Sequence, residues 1–312
     1  MGKRIVVSEF MDGPAVDFLR ARFEVDYRPK LVDDAAALQQ ALDGAEAWIV
    51  RNRTPVRGAL LAGAGSLKVV GRLGVGLDNI DVAACEARGI AVIPATGANA
   101  ESVAEYVITA ALVLLRGAWF STRAVEAGTW PRQTLSQGRE ASGKTLGLVG
   151  FGNIGRLTGR KARAMDMRVV AHDSAISPDD GTWRDEEVEP LGLDDLLARS
   201  DVVSLHVPLT GKTRGLLGRD KLSLMKRDAV LVNTARGGVV DEAALAAMLR
   251  EGRLGGAALD VFEQEPLAAG SPLAGAPRLL LTPHIAGVTT EANERVSALI
   301  ARRVAEALGE PR

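Results

Sequence analysis

The chain has 312 residues, a formal charge of −1, 47% apolar and 25% charged residues, the balance of a globular protein of about two domains with no global electrostatic pull toward nucleic acid or a membrane. The opening MGKRIVVSEF holds too short an apolar run for a signal-peptide core, and the longest apolar stretch, Val107 to Leu115, is about half of what a bilayer requires. Cys85 is the only cysteine, which leaves no internal disulfide and no cysteine-based metal cluster, so no metal is expected and a reducing, cytoplasmic setting is the default.

In chain order, short β-branched runs alternate with amphipathic stretches over the first 95 residues. The pattern predicts a strand at Arg4 to Val7, a helix from about Asp12, a strand at Glu24 to Tyr27, a helix from Asp33 to Leu42 and a strand at Ala47 to Val50. It continues through Val56 to Ala62, Leu67 to Val70, Val82 to Arg88 and Ile90 to Ile93. Such repetition argues for a parallel sheet covered on both faces. Glu101 to Leu115 reads as a long apolar helix, and the polar segment Ala118 to Lys144 shows no strand period. A second series opens at Leu146, with strands at Arg168 to His172, Asp201 to His206, Ala229 to Asn233, Gly256 to Asp260 and Leu279 to Thr282, and helices near Ile154 to Met165, Leu193 to Arg199 and Glu242 to Arg250. The fold class is therefore α/β, with two doubly wound parallel-sheet domains. The amphipathic stretch Thr290 to Leu308 follows the second sheet and could return to the first domain, making it discontinuous.

Gly150-Phe151-Gly152-Asn153-Ile154-Gly155 follows an apolar strand and opens a helix, with Asp173 ending the next strand 23 residues after Gly150. Gly150 permits the tight turn, Gly152 lets the backbone approach a pyrophosphate, and Gly155 lets helix and strand pack closely. The amides at the helix start, those of Asn153 and Ile154 among them, supply partial positive charge for phosphates. Asp173 can accept both adenosine-ribose hydroxyls and would repel a 2′-phosphate, which favours NAD over NADP and makes the second domain a Rossmann dinucleotide-binding domain. Gly71-Arg72-Leu73-Gly74-Val75-Gly76 also follows a strand, but lacks the matching acid. Its amides form either a small-anion nest or a plain turn.

General acid and base chemistry near neutral pH most often uses a histidine. His172 adjoins Asp173 on the adenosine side. His206, before Pro208, reads as a structural or cofactor-lining residue as readily as a catalytic one. His284 lies at the carboxyl end of the second sheet, where ligands of open α/β sheets bind, and is the best candidate by position. Arg236 also ends a strand; it either holds a carboxylate bidentately or is a solvated turn residue. Asp260 and Glu265 frame LDVFEQEP, and a carboxylate beside an imidazole would keep a proton available for donation.

GRLGVGLDNID, GFGNIG with Asp173, HVPLT, NTARGG, LDVFEQEP and TPHIAG, in this order and spacing, resemble the D-isomer-specific 2-hydroxyacid dehydrogenases, including 3-phosphoglycerate dehydrogenase and hydroxypyruvate reductase. The match covers nearly the whole chain. By that resemblance residues 1–97 with 286–312 form a flavodoxin-like substrate domain and 98–285 the NAD-binding domain. The resemblance also makes Arg236 the holder of the substrate carboxylate and carbonyl, His284 the acid/base and Glu265 its partner. Gly74, Val75 and Gly76 would present amides to the carboxylate, while Thr234 and Asp260 would fix the nicotinamide end, in a cofactor site that includes His206, Pro208 and Gly287. In formate dehydrogenases of the superfamily a Gln replaces the Glu, so Glu265 argues for a hydroxyacid.

Arg51, Arg53 and Asn99 offer cationic and polar groups for a second anionic group on the substrate, phosphate or sulfonate. SEFMD, RNRT and GRLGVGLDNIDVA are also similar to sulfolactate dehydrogenases. Many phosphoglycerate dehydrogenases carry C-terminal regulatory domains, whereas this sequence stops about 28 residues after His284, so no allosteric serine site is expected. The resemblance implies NAD-dependent interconversion of a 2-hydroxyacid and a 2-oxoacid. An NAD-sensing corepressor, a binding protein on the same fold, is the alternative. A homodimer joined through the cofactor domains is expected, with Trp119, Phe120 and Trp130 of the irregular arm as anchors.

Overall fold

A computed structural model describes residues 2–310. The chain divides into two compact units, one formed by Met1–Asn99 with Val288–Arg312 and the other by Ala100–Gly287. The discontinuity comes from the last long helix, which completes the first unit.

In the first unit, strands β1 (Arg4–Val7), β2 (Glu24–Tyr27), β3 (Ala47–Val50), β4 (Val69–Arg72) and β5 (Ala91–Pro94) form one parallel sheet in the order 2-1-3-4-5. Its first four helices are α1 (Gly13–Arg20), α2 (Ala35–Ala41), α3 (Gly58–Gly63) and α4 (Val82–Ala87). The two-residue period of β1 shows why both faces are covered: Ile5 and Val7 pack with Leu19, Ile49 and Ile300, whereas Val6 packs with Leu38, Leu42 and Trp48. Gly71 is tied to this packing and not to a phosphate, because a Cβ there would lie 2.8 Å from both Ile300 and Val304.

The second unit opens with α5 (Ala100–Arg116), whose apolar face is buried. An arm follows, with α6 (Thr122–Glu126) and α7 (Arg132–Leu135); then come β6 (Thr145–Val149), α8 (Asn153–Arg163), β7 (Arg168–His172), α9 (Gly181–Asp185) and β8 (Glu189–Pro190). The unit continues through α10 (Leu193–Arg199), β9 (Val202–Leu205), α11 (Arg219–Leu224), β10 (Val230–Asn233), α12 (Glu242–Arg250), β11 (Gly256–Leu259) and β12 (Leu279–Leu281). The helix that returns to the first unit is α13 (Thr290–Ala307). All seven strands are parallel, in the order 12-11-10-9-6-7-8. Chain order therefore reverses between β6 and β9, the crevice where open α/β sheets bind dinucleotides.

Apart from shifts of one or two residues at several element ends, such as α2 and α8, four differences from the sequence reading stand out. β4 starts at Val69 and runs to Arg72, two residues later than expected. Val56 forms only an isolated bridge to Ile80 before α3 begins. The arm from Ala118 contains short helical turns rather than irregular chain. Helices α9 and α11 and strand β8, each six residues or shorter, have no counterpart in the reading.

Candidate active site

The glycine fingerprint occupies the reversal of strand order. Gly150, at φ +96°, leaves β6 with its amide on His172 O at 2.7 Å, and His206 N donates to Val149 O at 2.7 Å. A Cβ at Gly150 would stand 2.5 Å from His206 O, and one at Gly155 2.5 Å from Gly150 O. Both glycines are thus required by the protein itself. Gly152 is not: its φ is −76° and a Cβ there would meet nothing within 4 Å. The space a side chain would take lies open at the start of α8, whose first amides have no intrahelical acceptors. A pyrophosphate fits that cradle.

Asp173 stands after β7, its Oδ2 accepting Phe151 N at 2.8 Å and its Oδ1 Ala175 N at 2.9 Å. Each oxygen keeps a lone pair for a ribose hydroxyl. The Oγ1 of Thr234, past β10, is buried with no partner among the described residues, an orphan that a bound nicotinamide amide would satisfy. His206 closes β9 with Nε2 3.0 Å from Ser204 Oγ, and burial pushes its pKa down to about 4. It is neutral at physiological pH and has no carboxylate partner among the described residues. His172 is tied through Nδ1 to Leu191 O at 3.0 Å.

The candidate catalytic groups lie at the carboxyl ends of three adjacent strands, β10, β11 and β12. Beyond β12, His284 sits at φ +58°, rare for a non-glycine residue. Its Nδ1 lies 2.8 Å from Glu265 Oε2, and the other Glu265 oxygen accepts Phe262 N at 3.1 Å. The carboxylate is therefore fixed from behind and fixes the imidazole in turn. Nε2 is left as the free nitrogen on a side chain that is 43% exposed.

Asp260, 1% exposed, forms the base of the same loop. Its Oδ1 accepts from Thr282 Oγ1 at 2.6 Å and Ile285 N at 2.8 Å, and its Oδ2 from Ala286 N at 2.7 Å. Oδ2 retains one acceptor position for a nicotinamide amide. Tyr106 of α5 extends the chain with its hydroxyl 2.5 Å from Thr282 Oγ1, and burial raises its pKa. Arg236, on the loop after β10, donates through Nη1 to Ala235 O at 2.6 Å. Buried Asn233 braces this loop, donating to Arg236 O and accepting Ala235 N, both at 3.0 Å. Pro208 and Gly287 lie on the loops after β9 and β12. Among the described residues, no group of three or more His, Cys, Asp or Glu is placed to hold a metal ion.

The first unit carries the other expected residues. Buried Glu9, just past β1, accepts the amides of Arg51 at 2.7 Å, Thr54 at 3.0 Å and Arg53 at 3.2 Å, so one carboxylate shapes the whole loop after β3. Asn79 stitches this loop to the one after β4, donating to Arg51 O at 3.1 Å and Thr54 O at 2.7 Å. The Arg51 guanidinium donates to Asn293 Oδ1 of α13 at 2.7 Å and lies 5.8 Å from the Phe10 ring centroid. Burial lowers its pKa and nearby Glu9 opposes the shift; a guanidinium stays charged at neutral pH.

The expected three-amide nest is corrected to two, because Gly74 N already donates to Arg72 O at 2.7 Å. The amides of Val75 and Gly76 find no acceptor among the described residues. Asp81 caps α4 through Ala84 N. Asn99 Oδ1 is buried without a partner among the described residues. Glu9, Asn79, Asn233, Thr282, Tyr106 and Asn293 escaped the sequence reading. Each acts on a residue distant in sequence or on a loop backbone, where no spacing rule applies.

Residues 108–286 match the family model for the NAD binding domain of D-isomer specific 2-hydroxyacid dehydrogenases. The chain belongs to that family. It is 54% identical over 306 residues to the (S)-sulfolactate dehydrogenase of Chromohalobacter salexigens, covering 98% of both chains. It is 38% identical to the D-3-phosphoglycerate dehydrogenase of Archaeoglobus fulgidus, over 96% of this chain but only 56% of that longer protein. Among solved structures, the D-lactate dehydrogenase of Aquifex aeolicus, complexed with NAD and lactic acid, superimposes with a TM-score of 0.85 at 29% identity, covering 98% of this chain and 96% of that one. The protein is an NAD-dependent 2-hydroxyacid dehydrogenase, an oxidoreductase acting on CH–OH groups. These relatives bear enzyme names, and the corepressor alternative gains no support from them.

Proposed function

We propose that this dehydrogenase interconverts a 2-hydroxyacid bearing a second anionic group with its 2-oxoacid, sulfolactate being the first candidate substrate. The observation that carries the chemistry is the His284–Glu265 pair, with Nδ1 and Oε2 2.8 Å apart and the carboxylate anchored on Phe262 N. Substrate choice is supported by Arg51 in a loop shaped by Glu9, and by the 54% identity to a sulfolactate dehydrogenase.

When bound, NAD supplies the hydride acceptor. Gly150, Gly152, Asn153, Ile154 and Gly155 would receive its pyrophosphate, Asp173 its ribose, and Thr234 and Asp260 its carboxamide, with His206, Pro208 and Gly287 lining the site. In oxidation His284 Nε2 takes the hydroxyl proton, and Glu265 balances the charge that then forms on the ring. In reduction the same nitrogen returns the proton. Arg236 holds the carboxylate and polarises the 2-oxo oxygen. By the family resemblance the carboxylate would also receive the amides of Val75 and Gly76, and Arg51, Arg53 and Asn99 would be the groups offered to the second anionic group.

Initial rates with NAD and sulfolactate, 3-phosphoglycerate, D-lactate and D-glycerate test the reading, with sulfolactate expected to lead. His284→Ala should lower kcat by roughly 10²–10⁴ while NADH still binds by fluorescence titration. Unchanged turnover would remove His284 from the mechanism.

We also propose a cytoplasmic homodimer. Trp119 (61% exposed), Phe120 (42%), Val125 (43%) and Trp130 (77%) leave an apolar arm uncovered in the single chain, the composition of an interface.

A further inference from the structure

The two arginines after β3 are partnered differently. The Arg51 guanidinium hydrogen-bonds a neutral group, the Asn293 amide, and lies by the Phe10 ring, with Glu9 acting on its charge from nearby. Arg53 is paired with a carboxylate, its Nη2 standing 2.5 Å from Asp33 Oδ1 in an exposed ion pair. Asp33 reaches it from the 3-10 turn Leu31–Asp33 that precedes α2. Glu9 lies beneath the same loop with both oxygens on its backbone amides. Two guanidiniums are thus set near two carboxylates, which offset part of the attraction offered to an incoming anion.

We propose that Asp33 masks Arg53 and thereby makes the chain select a singly charged second group, a sulfonate, over a doubly charged phosphate ester. The inference rests on the reading that this loop faces the substrate's second anionic group, and it adds the residue that sets the charge preference. A sulfonate carries one negative charge throughout the neutral range, whereas a phosphate monoester approaches two above its second pKa of about 6. Arg51, steered by Asn293, can hold three oxygens sharing one charge. A dianion needs a second free cation, and Asp33 both occupies Arg53 and repels the added charge.

The test is the ratio of kcat/KM for 3-phosphoglycerate to that for sulfolactate, measured with NAD at low ionic strength above about pH 7.5. In the parent chain the ratio should lie well below one. Asp33→Asn should raise it about fivefold, the size expected for one exposed charge, and added salt should shrink that rise by screening. Asp33→Glu, which keeps the carboxylate, should stay near the parent ratio; a purely structural role would move neither the ratio nor its salt dependence. If the parent oxidises sulfolactate but Asp33→Asn leaves the ratio unchanged, the masking role is overturned and the functional reading survives. A parent that prefers 3-phosphoglycerate overturns the charge preference and sulfolactate as first candidate, but not the substrate class. One that turns over neither compound overturns both the masking role and the functional reading.

Discussion

Desolvation fixes the charge of His206, and a cost follows. Its pKa falls from 6.5 to about 4 in the folded protein, so between those values the unfolded chain binds the extra proton. Stability contributed by the neutral ring is present above about pH 6.5 and drains away toward pH 4, by roughly 3 kcal/mol at most. Urea midpoints at about pH 7 and about pH 4.5 check this: His206→Gln should lose clearly less on acidification than the parent. Equal losses would place the acid sensitivity elsewhere. The contrast with His284 shows what could be read at this scale. Glu265 and His284 are tied to strand ends and to specific motifs, so their pairing was legible. Glu9 was not, because its role lies in accepting amides some 42 to 45 residues further on, and only the folded chain brings them together.

Among the elements, the turn from β6 into α8 separates two kinds of glycine. Gly155→Ala would drive a methyl into the Gly150 carbonyl, 2.5 Å away, at a cost of about 1–3 kcal/mol and several degrees of Tm. Gly152→Ala meets only open space, so the melting curve of the free protein should hold. NADH affinity should nevertheless fall by about tenfold or more, because the methyl takes pyrophosphate volume. Fluorescence titration beside thermal melts distinguishes the two, and undiminished NADH binding by Gly152→Ala would contradict the cradle. That turn was readable because strand, glycines and acid fall at fixed spacings. The runs of β1, β3 and β9 were readable for a similar reason, since strands buried on both faces are mostly apolar, with only Arg4 and Ser204 as exceptions among these three. Helices α9 and α11 and strand β8 are too short to complete a period, and the Asp180 cap of α9 is a side-chain bond that a loop could equally make.

For the whole molecule, the uncovered aromatics of the arm predict association. Sedimentation at micromolar concentration should give twice the 32.8 kDa chain mass, and Trp130→Ala should weaken the pairing by about tenfold or more, as loss of a buried aromatic anchor does. A monomeric parent would defeat the proposal. Domain composition was legible in the alternation of strand and helix, and the return of α13 followed from an amphipathic stretch with no sheet of its own in sequence. That return orders events on the ribosome. The unit of Ala100–Gly287 is one uninterrupted stretch and can close as soon as it has emerged. The first 99 residues are made earlier but lack Ile300 and Val304, which pack onto Gly71 and the face of β1. The segment synthesised first is therefore the last to be finished, and until the final helix arrives its apolar sheet face stays uncovered and open to misassociation.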